Sequence, residues 1–70
     1  MIITDTATLG KMLKTRRKEL GITQAYLSEV TGLSTTFISD VENGKSTAEI
    51  GRIIKLVNML GMDLIVESRG

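Results

Sequence analysis

The stretch from Gln24 to Asn43, "QAYLSEVTGLSTTFISDVEN", holds two short apolar patterns with a single glycine between them. Leu27 and Val30 form the first; Ile38 and Val41, extended by Phe37, form the second. Both have helical spacing, and each covers only about two turns. Thr23 and Ser34 stand in front of them as N-caps, and Gly32 falls at the junction, where a positive φ is cheap only for glycine. Leu27, Leu33, Ile38 and Val41 fall where two such helices must face each other and a common core, and small Ser28 falls where they cross. The face that the second helix leaves free carries Thr35, Thr36, Ser39 and Asp40.

These constraints differ in kind and are met within one short stretch, which is the spacing of a helix-turn-helix. Upstream, Asp5 precedes a helical pattern of Leu9, Met12, Leu13, Arg17 and Leu20, stopped by Gly21. Gly10 lowers helix propensity inside it, so either a neighbouring helix passes close or this helix is locally weak. Downstream, Ser46 and Glu49 have the spacing of a capping box. The helix it opens carries Ile50, Ile53, Ile54, Leu56, Val57 and Leu60 on a broad apolar face up to Gly61. The tail "MDLIVES" then alternates Met62, Leu64 and Val66 against Asp63, Ile65 and Glu67, which is strand periodicity.

Seventy residues make a single domain with a marginal core. The absence of Cys and His removes thiol chemistry, the usual zinc sites and a histidine base. The carboxylates Glu19, Glu29, Glu49 and Asp63 show no paired spacing, so nothing points to an enzyme, a cofactor or a metal. No apolar run is long enough to span a bilayer, and "MIITDTATLG" lacks the features of a signal peptide, so the expected location is cytoplasmic. Net charge is only +1, yet "KMLKTRRK" gathers Lys11, Lys14, Arg16, Arg17 and Lys18. Such a patch reads either as a solvated helix face or as a phosphate-binding surface.

With these residues in view, "TQAYLSEVTGLSTTFISDVENGKS" resembles the XRE-type family of phage-repressor and Cro-like DNA-binding domains. Thr23, Gln24, Leu27, Gly32, Ser34, Ile38, Ser39, Glu42 and Gly44 carry the resemblance. Ser28 replaces the family's usual Ala, and Thr31 an apolar residue. The resemblance implies an all-α, four-helix fold whose third helix enters the major groove. Base contacts then fall to Thr35, Thr36, Ser39 and Asp40, side chains short enough to fit and polar enough to read edges. Asp40 either accepts from a cytosine amino group or points aside. Thr23, Gln24, Ser34, Asn43 and Lys45 match the family's phosphate-binding positions, with capping alone the other role open to Thr23 and Ser34. Arg17 and Glu42 match a pair that the family uses as a structural salt bridge. Phe37 belongs either to the core rim or to a DNA sugar or methyl contact.

The tail, "LGMDLIVESRG", joined to "RRKELGITQ" and the fourth helix, narrows the resemblance to the HipB-like antitoxins. That likeness implies a homodimer that represses its own operon at a palindromic operator and binds a HipA-like serine/threonine kinase toxin. The expected division is a helix-turn-helix domain over residues 1–61 and a dimerisation strand over 62–70, built on Met62, Leu64, Ile65 and Val66. A lone strand leaves its backbone unpaired, and the same segment of a second copy is the cheapest partner; Met1 to Ile3 is the competitor within the chain. A stand-alone repressor without a toxin, and a protein-interaction module without DNA binding, are the alternatives.

Overall fold

The computed structural model describes residues 2–70. Four helices follow one another: α1 (Thr6–Glu19), α2 (Gln24–Thr31), α3 (Thr35–Glu42) and α4 (Ile50–Met59). Three of them start on side-chain caps that the sequence marks. Asp5 accepts the Thr8 N–H at 2.7 Å, Thr23 the Tyr26 N–H at 3.0 Å, and Ser34 the Phe37 N–H at 3.0 Å. Each cap occupies a backbone donor that the helix itself cannot satisfy. Gly32 closes α2 at φ 75°, its N–H donating to Ser28 O at 2.8 Å.

The core is made by all four helices, with Leu13 from α1, Leu27 from α2, Ile38 from α3, and Leu56 and Leu60 from the α4 region fully buried. Gly10 shows why α1 and α3 lie so close: a Cβ there would collide with the carbonyl oxygens of Val41 and Glu42. Of the two readings of that glycine, close approach is the one observed. Among the described residues no helix is long and apolar enough to cross a membrane.

Four local expectations change. In α2 the inner position after Leu27 belongs to Thr31, 3% exposed, whereas Val30 is 42% exposed. The Thr31 hydroxyl donates to Leu27 O at 2.6 Å and accepts the Leu33 N–H at 3.2 Å, so its burial leaves no polar atom orphaned. The Ser46–Glu49 capping box does not form. Residues 46–48 stay in a turn that brings Ala48 onto the core, and Glu49 itself becomes the cap residue, with no side-chain hydrogen bond. On α4 the apolar face is wider than its footprint, because Ile53, Leu56 and Val57 are buried while Ile50 and Ile54 remain exposed. Leu20 is exposed too, since α1 has ended before it and the chain turns at Gly21.

Among the described residues there is no strand. Met62 is half-buried against the core, but Leu64, Ile65 and Val66 are exposed, and no backbone hydrogen bond joins residues 2–4 to residues 62–66. A strand exists only with a laddered neighbour, and the single chain provides none here. Met1, part of the competing intrachain partner, lies outside the described residues.

Candidate nucleic-acid interface

The face of α3 turned away from the core is set by Ile38 and Val41, whose burial dictates the helix rotation. Thr35 and Thr36 consequently stand exposed at its N-terminal end, with no hydrogen-bond partner for either hydroxyl among the described residues. Ser39 and Asp40, one turn on, are half-buried and engaged. Asn43 Nδ2 donates to Ser39 Oγ at 3.4 Å, and Lys45 Nζ lies 3.4 Å from Asp40 Oδ2. Two expected base-reading residues are thus free, and two are paired to expected phosphate-binding ones. Thr23 and Ser34 are exposed while serving as caps, and their helices begin with N–H groups at Gln24, Ala25, Thr35 and Thr36 that have no intrahelical acceptor.

Behind this face lies a network that joins three elements. Arg17 of α1 grips Glu42 of α3 in a two-pronged contact, Nε to Oε2 at 2.7 Å and Nη2 to Oε1 at 3.0 Å. Its remaining arm donates to the Ile22 carbonyl at 2.9 Å, and Gln24 Nε2 donates to Glu42 Oε1 at 3.1 Å. Arg17 and Glu42 are each 8% exposed. Burial pushes the Glu42 carboxyl up, but the Arg17 and Gln24 hydrogen bonds and the nearby Arg17 and Lys14 charges outweigh it and hold the group below its usual value. The geometry locks the C-terminal end of α3 and the start of α2 to the same guanidinium. Gln24 therefore has a packing partner that its sequence position did not announce.

The basic segment does not act as one patch. Arg17 turns inward; Arg16 Nε caps the end of α4 by donating to Leu60 O at 2.9 Å; Lys11, Lys14 and Lys18 stay exposed. The Arg16 contact is another that sequence reasoning missed, because its acceptor is a backbone carbonyl 44 residues away and leaves no residue-type signal. Phe37 packs on the core rim, and the Arg52 guanidinium lies over its ring at 5.7 Å. After α3, Gly44 takes φ 85° with Ala7 of α1 against it, and Thr6 Oγ1 donates to its carbonyl at 2.8 Å. Among the described residues no group of acidic or His/Cys side chains could hold a metal ion, and no buried side-chain polar atom lacks a partner.

A four-helix domain with a rigidly backed, hydroxyl-bearing third helix defines a class: the helix-turn-helix proteins. The helix-turn-helix family model HTH_3 matches residues 13–66, and the chain belongs to that family. Among curated relatives it is similar to the HTH-type transcriptional regulator y4mF of Sinorhizobium fredii (strain NBRC 101917 / NGR234), 34% identical over 64 residues that cover 91% of this chain and 84% of the relative. It is also similar to the ImmF control region 10 kDa protein of Bacillus phage phi105, 38% identical over 58 residues, or 79% of this chain and 64% of that one. Its fold matches two HipB structures, a HipB-O4 20mer complex and a HipA-HipB-O2-O3 complex. Each has a TM-score of 0.90 at 21% identity and covers 100% of this chain and 99% of the other.

Proposed function

We propose that this chain is a sequence-specific DNA-binding transcriptional repressor that acts as a homodimer on a palindromic operator. The observation that carries the reading is the free hydroxyl pair Thr35 and Thr36 on a helix held from behind by the Arg17–Glu42 contact. A groove-reading helix needs short polar side chains in front and a fixed orientation behind. Thr35, Thr36, Ser39 and Asp40 read bases, and Thr23, Gln24, Ser34, Asn43 and Lys45 hold the flanking phosphates. Two copies pair antiparallel through residues 62–66, which covers Leu64, Ile65 and Val66 and sets two recognition helices about 34 Å apart, one turn of DNA.

Within that reading, the chain is a HipB-like antitoxin that represses its own operon and binds a HipA-like kinase toxin. The likeness in fold to a HipA-HipB-O2-O3 complex supports it. A second reading, a stand-alone repressor with no toxin, is favoured by the relative from the ImmF control region of a phage. Stable association with the kinase-like product of a neighbouring gene separates the two: capture supports the antitoxin, and its absence supports the lone repressor. DNA binding is tested by its salt dependence. Neutralising roughly four to six phosphates per subunit releases matching counterions, so log affinity should fall steeply with log salt between about 50 and 200 mM. A flat profile would sink the phosphate contacts.

A further inference from the structure

Asp40 stands on the outer side of α3, one turn beyond Thr36, where an anion faces the approach of a polyanion. The loop after α3 folds back onto it, the Lys45 N–H donating to the Asp40 carbonyl at 3.0 Å while Nζ lies 3.4 Å from Oδ2. Both side chains remain about half exposed, at 54% for Lys45 and 41% for Asp40. The other carboxylate of α3, Glu42, is turned inward and taken by Arg17 and Gln24, so it does not compete for Lys45. Lys45 has no second ion-pair partner among the described residues.

We infer that Asp40 is a specificity-determining residue that works by holding Lys45 off the DNA backbone unless a base offers Asp40 a hydrogen-bond donor. The inference rests on the DNA-binding reading above. A phosphate that captures Lys45 replaces one anionic partner by another, so Lys45 gains little. Asp40 is left as an unpaired carboxylate beside the phosphates, which is unfavourable. Cytosine relieves this by donating its N4 amino group in the major groove. Guanine and thymine present only acceptors there, and adenine sets its amino donor beside the N7 lone pair, which a carboxylate avoids. Cytosine opposite Asp40 therefore releases Lys45 to a phosphate, whereas other bases keep the pair closed or strand the charge. Discrimination comes from the penalty on wrong sites, not from extra affinity for the right one.

The test compares the wild-type chain with Asp40→Asn, Lys45→Gln and the double variant. One probe is a short duplex of random sequence; the other is a set of duplexes enriched from a random pool by the wild-type chain. Asp40→Asn should bind the random duplex roughly two- to five-fold tighter, the scale of one exposed ion pair. Its log–log salt dependence should steepen by about one per subunit. The steepening should vanish when Lys45→Gln is added, where only relief of the Asp40 repulsion remains, and the cytosine preference at one position of the enriched set should be lost. If Asp40→Asn gains nothing on random DNA, or steepens the salt dependence equally without Lys45, Asp40 does not gate Lys45 and the inference is overturned. Failure of the wild type and every variant to bind any duplex instead overturns the DNA-binding reading, and this inference with it. Thermal melting of each variant confirms that the fold is retained.

Discussion

At the scale of single residues, free and engaged side chains call for different experiments. The Thr36 hydroxyl has no partner among the described residues, so Thr36→Ala should leave stability nearly unchanged. It should relax base preference at one operator position by about 1 kcal/mol, read by competition with single-base operator variants. Gln24→Ala should weaken binding to all sequences about equally. The amide of Gln24 also supports Glu42, so this variant should lose some stability as well. Glu42→Gln leaves the Arg17 guanidinium buried without its counter-charge, and should destabilise the fold by about 3 kcal/mol in urea unfolding at neutral pH. The same carboxyl titrates below its ordinary value of 4.5 in the folded chain. The stabilisation it provides is therefore complete above that value and is lost as pH falls through the lower, folded value. The gap in stability between wild type and Glu42→Gln should shrink below pH 4.5; a gap independent of pH would mean that the ion pair is not its source.

At the scale of elements, α1 and α3 are set by a close approach of their backbones at Gly10. An exposed Gly→Ala change inside a helix ordinarily stabilises by about 1 kcal/mol. At Gly10 the sign should reverse, because the added methyl meets the Val41 and Glu42 carbonyls, and main chain cannot swing aside as a side chain can. We expect Gly10→Ala to destabilise by roughly 1–3 kcal/mol, the range for overpacking, in equilibrium unfolding. It should also weaken DNA binding, since α3 would have to move away from α1. The caps at Asp5, Thr23 and Ser34 were legible in the sequence, because each acts on an N–H only three residues ahead. The start of α4 was not. Ser46 and Glu49 have the right spacing for a capping box, but Ala48 is drawn onto the core, and this tertiary contact delays the helix.

At the scale of the whole molecule, the tail is the segment whose structure the single chain does not complete. Leu64, Ile65 and Val66 are 44%, 71% and 93% exposed, and their backbone has no ladder partner among the described residues. A chain ending at Gly61 should sediment as a monomer, or as poorly folded material, and lose tight operator binding. Should it remain dimeric with unchanged affinity, the dimer must be built from the helices, with Ile50, Ile54 and Met59 of α4 among the exposed apolar side chains left for it. Arg16 bears on the same question: by holding Leu60 O, it fixes the point at which the tail leaves α4.

By itself the sequence determined what depends on neighbours along the chain. It marked the first three helix starts, the left-handed turn at Gly32, the exposed hydroxyls of α3 and the spacing of the two short helices, because capping, φ preference and periodicity act within a few residues. The tertiary structure decided which member of each local pattern is used. It chose Thr31 over Val30 for the core and Lys45 as the partner of Asp40, and it assembled the Arg17–Glu42 pair that the family resemblance implied but no local pattern marks. A two-turn helix samples too few positions for spacing alone to locate its inner face, and the partner of a buried charge is set by an element distant in sequence. Only the approach of α1 to α3 at Gly10 brings Arg17 and Glu42 together.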